Sequence, residues 1–92
     1  MTVTVVPGEK KADIFLFTLS TCVWCKKTKN ILKELGVQYR YVDIDQLEGE
    51  ERKNILQQLR KKNPSSSYPT IVINDTTSII GFKEKDIREA LA

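Results

Sequence analysis

Cys22 and Cys25 are the only cysteines in the chain, and they stand three residues apart in the stretch Thr18-Leu19-Ser20-Thr21-Cys22-Val23-Trp24-Cys25-Lys26-Lys27. Two thiols at this spacing can staple a fold, hold a metal or carry electrons. A staple gains little here, because in the chain-entropy picture a disulfide stabilises by closing a long loop and this loop is nearly the shortest possible. A structural zinc takes four ligands, usually Cys and His. With two Cys and no His, a metal would need external ligands or two chains sharing one site. A reversible dithiol–disulfide couple uses the residues that are present.

Such a couple must be held in place by the elements around it. The apolar run Asp13 to Thr18 ("DIFLFT") reads as a buried strand. From Val23 to about Leu35 the pattern becomes helical. Cys25, Thr28, Leu32 and Leu35 fall on one stripe with Ile31 beside it, Lys26, Lys29, Asn30, Lys33 and Glu34 point away, and Gly36 supplies the stop. Cys22 therefore falls at a strand-to-helix join and Cys25 one turn on, at a separation a disulfide can span. Free backbone N–H groups and the positive end of the helix dipole favour a thiolate at Cys22, with Lys26 and Lys27 adding charge nearby. Cys25, on the apolar stripe, should be less exposed, so that one sulfur attacks and the other resolves.

Further along, Val37, Tyr39 and Tyr41 alternate with Gln38 and Arg40 as a second strand. Asp45 and Glu48 have capping-box spacing before a second helix with Ile55, Leu56 and Leu59 on its apolar face. Asn63 to Ser67 reads as a loop. The runs Thr70–Asn74 and Thr77–Phe82 flank Asp75-Thr76 as a hairpin, and Lys85 to Leu91 forms a last helix with Ile87 and Leu91 inward. The order βαβαββα predicts a mostly parallel α/β sheet with an antiparallel edge.

Ninety-two residues make one domain, and 40% hydrophobic with 29% charged residues is the balance of a globular one. Residues 1–11 read as a flexible leader, with an added edge strand through Val3, Val5 and Val6 as the alternative, and the domain as 12–92. The net charge of +3 comes from basic residues spread over helix faces, which argues against a nucleic-acid patch. The apolar run in the leader is too short for a signal peptide or a membrane span, so a reducing cytoplasm is the expected location.

Taken in order, the strand "DIFLFT", the dithiol "CVWC", Tyr68-Pro69-Thr70 and Gly81-Phe82 resemble the glutaredoxins, a branch of the thioredoxin fold, over about residues 12 to 92. The resemblance implies a four-stranded mixed sheet flanked by three helices, no prosthetic group and a monomer. It implies Cys22 as nucleophile and Cys25 as resolving cysteine. It makes Pro69 a cis proline facing the dithiol, and Val23, Trp24, Tyr68, Thr70, Gly81 and Phe82 its substrate-binding neighbours, with Lys26 tuning the thiolate. Leu19 stands at or near a position where glutaredoxins commonly carry a glutathione-binding lysine, and Gly81 to Asp86 ("GFKEKD") replaces the family's Gly-Gly and acidic run. That Gly-Phe is similar to glutaredoxin-like redoxins that serve ribonucleotide reductase. The implied substrates are disulfide-containing proteins or glutathione mixed disulfides. The implied electron donor is glutathione, a thioredoxin-reductase-type protein or a ferredoxin-linked reductase. Two alternatives are a [2Fe–2S] carrier that uses Cys22 with external thiols, and a binding module whose cysteines sense oxidation.

Overall fold

The computed structural model describes residues 3–91. Met1 and Thr2 of the expected leader and Ala92 at the expected end of the domain lie outside the described residues. Five strands and three helices follow in the order β1 (Thr4–Val6), β2 (Ile14–Thr18), α1 (Val23–Glu34), β3 (Tyr39–Asp43), α2 (Gly49–Lys62), β4 (Thr70–Ile73), β5 (Thr77–Ile80) and α3 (Glu84–Leu91). This is the thioredoxin-like architecture expected, with one strand more than the four anticipated.

β2 lies at the centre of the sheet, whose order is β1-β3-β2-β4-β5. Its unbroken apolar run follows from having both faces covered. Ile14 and Leu16 point into a core built with Ile31 and Leu32 of α1 and Ile87 and Leu91 of α3. Phe17 points the other way, to Val72 and to Ile55 and Leu59 of α2. The two-residue period of one strand thus feeds two cores.

The sheet is mixed rather than mostly parallel, because β2–β3 is its single parallel pair. α1 makes the crossover that a parallel pair needs. After α2 the loop Asn63–Pro69 returns the chain to the end of the sheet where β2 exits. Thr70 accordingly pairs with Phe17, and β4 can only run antiparallel. The dithiol, Pro69 and the end of β5 are thereby gathered at the end of the sheet where β2 exits.

The leader is a strand over part of its length, where a frayed tail was expected. Thr4–Val6 pairs antiparallel with Tyr41–Tyr39 on the outer edge of β3. Glu9 then donates its N–H to the Gly36 carbonyl at 2.7 Å and accepts from the Gln38 N–H at 2.9 Å. Gly8 is required there, because a Cβ would lie 2.6 Å from the Val37 carbonyl carbon. An open edge of β3 offered the ladder hydrogen bonds that decide for the edge strand, the alternative that the leader's valines suggest.

Two local readings also change. Asp45 does not cap α2. It lies in a 3-10 turn, Ile44–Gln46, while Glu48 occupies the N-cap without a side-chain hydrogen bond. The hairpin turns on Asn74-Asp75 rather than Asp75-Thr76. Both residues have positive φ (53° and 59°), and the Thr76 N–H closes onto the Ile73 carbonyl at 3.2 Å.

Candidate active site

Cys22 is the N-cap of α1, with extended dihedrals (φ −81°, ψ 115°). Its Sγ accepts the backbone N–H of Cys25 at 3.2 Å, and its carbonyl accepts the Lys26 N–H at 3.1 Å. The sulfur therefore does what a Ser or Asp oxygen usually does at this position, and meets the positive end of the helix as it does so. Cys22 is half-exposed and Cys25 fully buried, both as free thiols.

The Cys25 thiol is pushed up to about 12, first by burial, then by its hydrogen bond to Cys22 and the charge there. The Leu19 backbone and the charge of Lys29 pull in the opposite direction. Lys26 is exposed. Lys29, which the helical periodicity assigned to the solvent face, is instead partly buried. Its Nζ lies 3.3 Å from Asp43 Oδ1 and 4.0 Å from the centre of the Tyr41 ring. The aliphatic stem of a lysine can cover apolar surface while its head reaches a polar partner, so residue type alone does not place it.

Val23 and Trp24 are the exposed apolar residues beside Cys22, at 61% and 52%. Trp24 does not hang free. Its ring meets Phe82 at a centroid distance of 5.2 Å and carries Lys27 Nζ 4.5 Å from its own centroid. Phe82 in turn packs against the core of the α1–α3 face.

The Tyr68–Pro69 bond is cis, as the resemblance implied. The Pro69 carbonyl accepts the Gly81 N–H at 2.8 Å, tying the loop before β4 to the residue after β5. Gly81 has φ +82°, a conformation a side chain would strain, although a Cβ would meet nothing within 4 Å. Tyr68 is half-buried beside the α2-face core. Burial pushes its hydroxyl up, with Arg52 and Arg60 opposing.

Thr70 is fully buried and its hydroxyl is committed internally, donating to the Ser67 carbonyl at 2.8 Å and accepting from Asn63 Nδ2 at 2.9 Å. Its side chain supports the loop. Asn63, read in the sequence only as part of that loop, is its organiser. It is buried, its Nδ2 also reaches Ser67, and its Oδ1 accepts the Ser65 N–H at 3.1 Å. A polar residue just after a helix gives no sign of such a role.

Asp45 was a second omission. Its carboxylate accepts the Ser20 N–H at 2.8 Å and bonds the Ser20 hydroxyl, which holds the loop entering Cys22 and keeps the carboxyl below the usual range.

A half-exposed thiol on a helix N-cap and a buried thiol one turn inward, at the exit end of the central strand of such a sheet, define a thiol–disulfide oxidoreductase of the thioredoxin fold. The family model for glutaredoxin matches residues 14–77, and the chain belongs to the glutaredoxin family. It is 53% identical to the methanoredoxin of Methanosarcina acetivorans, whose crystal structure matches with a TM-score of 0.89 over 92% of this chain and 90% of that one. The glutaredoxin of Methanosarcina mazei Go1 is 48% identical with a TM-score of 0.90, covering 100% of this chain and 89% of its own. A glutaredoxin-like 8.6 kDa protein in the rubredoxin operon of Clostridium pasteurianum is 34% identical over 76 residues, 80% of this chain and 91% of that protein.

Among the described residues no helix is long and apolar enough to cross a membrane, and no group of three or more His, Cys, Asp or Glu could hold a metal ion.

Proposed function

We propose that the protein reduces protein disulfides in the cytoplasm through Cys22 and Cys25. The observation that carries this is the unequal pair itself, a half-exposed sulfur on the helix N-cap and a buried partner one turn inward. The Cys22 thiolate attacks a substrate disulfide, forming a mixed disulfide and expelling one substrate thiolate. Cys25 then attacks the Cys22 sulfur and expels the second, leaving both substrate thiols reduced and an intramolecular disulfide to be reopened.

The apolar surface of Val23 and Trp24, backed by Phe82, suits a protein segment more than a small charged thiol. Leu19 offers no ammonium for a glutathione carboxylate. A protein reductase, of thioredoxin-reductase or ferredoxin-linked type, is accordingly the favoured donor over glutathione, and ribonucleotide reductase is one substrate of fitting chemistry. The relative in a rubredoxin operon supports a place among electron-transfer proteins.

The test is trapping. Cys25→Ser should accumulate a mixed disulfide with a protein substrate through Cys22, and Cys22→Ser should neither trap nor reduce it. A trap through Cys25 alone would reverse the roles. A brown, dimeric protein on anaerobic purification would instead favour the iron–sulfur carrier. Reduction of the oxidised protein by the three donors in parallel identifies the reductant.

A further inference from the structure

Resolution of the mixed disulfide requires a buried thiol to become a nucleophile. Cys25 is fully buried, on the inward stripe of α1 with Thr28, Ile31 and Leu32. Desolvation disfavours the thiolate the step needs. A hydrogen bond from the Leu19 backbone offsets part of that cost, and a positive charge held near Cys25 would offset more.

Lys29 is placed to do so. It lies four residues after Cys25, on the neighbouring position of the same helix face. Its ammonium is turned in rather than out, held 3.3 Å from Asp43 Oδ1 and 4.0 Å from the Tyr41 ring centre. Asp43 is itself fixed by the hydroxyl of buried Thr18, which also contacts the Val42 carbonyl at 3.0 Å. The lysine is thus anchored by β3 and by the end of β2, the strand that leads into the dithiol.

We infer that Lys29 is a positioning residue for the second half-reaction, an anchored cation that favours the thiolate of Cys25 when it attacks the mixed disulfide. This rests on the reading in which Cys22 attacks and Cys25 resolves. In the step, the Cys25–Cys22 sulfur bond forms and the Cys22–substrate sulfur bond breaks. The electron pair of the broken bond leaves with the substrate sulfur, and the proton given up by Cys25 is balanced by the one the departing thiolate takes. The dithiol is oxidised and the substrate reduced. Lys29 gives and takes no proton; it acts through its charge.

The ionisable groups facing this region are Cys22 on α1, Asp43 and Tyr41 on β3 and Tyr68 before β4. Two influences favour ionisation of Cys25, a hydrogen bond from the Leu19 backbone first and the charge of Lys29 second, and the opposing charge of Cys22 is gone once Cys22 is in the mixed disulfide.

The size of the effect follows from thiol reactivity. A tenfold smaller thiolate fraction is partly offset by greater nucleophilicity, with a Brønsted coefficient of about 0.4–0.5, so the rate falls about threefold for each tenfold loss.

The test separates the two half-reactions. Reduced protein mixed with excess 5,5′-dithiobis(2-nitrobenzoate) releases one thionitrobenzoate when Cys22 attacks and a second when Cys25 resolves. Lys29→Met, and Lys29→Gln as a second neutral variant, should leave the first phase unchanged and slow the second about threefold or more at neutral pH. The deficit should keep the same ratio from about pH 7 to 10, because a thiol raised to about 12 stays mostly protonated in both proteins there, and Lys29→Arg should restore the rate. An unchanged second phase, both phases slowed alike, or a second phase that Lys29→Arg leaves as slow as Lys29→Met does would overturn the inference. Failure of the underlying reading looks different: the unsubstituted protein would then release its second equivalent no faster than Cys25→Ser does.

Discussion

The backbone N–H of Cys25 points at the Sγ of Cys22, 3.2 Å away, so the attacking sulfur is also the cap of the helix that carries the resolving one. Side chains that can accept this hydrogen bond should therefore keep the helix end satisfied even when they cannot do redox chemistry. Cys22→Ser should unfold within about 0.5 kcal/mol of the reduced parent, while Cys22→Ala should cost about 1 kcal/mol, in the range for loss of an N-cap. Denaturant titration of the reduced proteins checks this. Equal stability of Ser and Ala would show that the contact contributes nothing to the fold.

Stability should depend on pH differently in the two redox states. The buried Cys25 thiol is raised from 9.0 to about 12 on folding. Between those values the unfolded chain releases this proton and the folded protein keeps it. The reduced protein therefore has its full stability below about pH 9 and loses it as pH rises toward 12, by up to about 1.4 kcal/mol per pH unit from this group. The disulfide form has no such proton, and neither does reduced Cys25→Ala. Urea midpoints for the three forms from pH 8 to 10 should show the reduced parent falling more steeply than the other two, and parallel curves would contradict the buried-thiol account.

Asn63 holds the loop that delivers Tyr68 and Pro69 to the dithiol. Asn63→Ala would remove the side chain shared by the exposed Ser65 and Ser67 and the buried Thr70, although Thr70 would keep its bond to the Ser67 carbonyl. Losing these hydrogen bonds should cost about 1–2 kcal/mol. Denaturant unfolding should show that loss, and the Michaelis constant for a protein disulfide should rise as the loop loosens. Attack of Cys22 on a small aromatic disulfide should change little, because the N-cap contact is untouched.

Trp24 and Phe82 should act as one surface. Trp24→Ala should raise the Michaelis constant for a protein disulfide several-fold while sparing a small disulfide. Phe82→Ala removes the ring Trp24 leans on and should reproduce part of that loss. A double-mutant cycle on kcat/KM should return a coupling of about 0.5–1.5 kcal/mol. Strict additivity would mean that the 5.2 Å contact between the rings plays no part in presenting Trp24.

The residues whose role is set by their immediate neighbours were legible in the chain. Cys22 and Cys25 fall at a strand-to-helix join because an apolar run ends at Thr18 and a helical stripe begins at Val23, and α1, α2, β2 to β5 and α3 follow local periodicities of the same kind. What needed the folded molecule were the contacts between elements far apart in sequence. The leader's two readings, edge strand or frayed tail, are decided for the strand because the outer edge of β3 was open, a property of Tyr39–Tyr41. β4 runs antiparallel because the loop after α2 returns to the exit end of β2. Asp45 leaves its capping spacing for Ser20, which lies 25 residues away. Lys29 turns inward because Asp43 and Tyr41 wait on β3. A polar side chain is equally at home in water or against a distant partner, so sequence pattern assigns it to solvent until the tertiary structure supplies that partner.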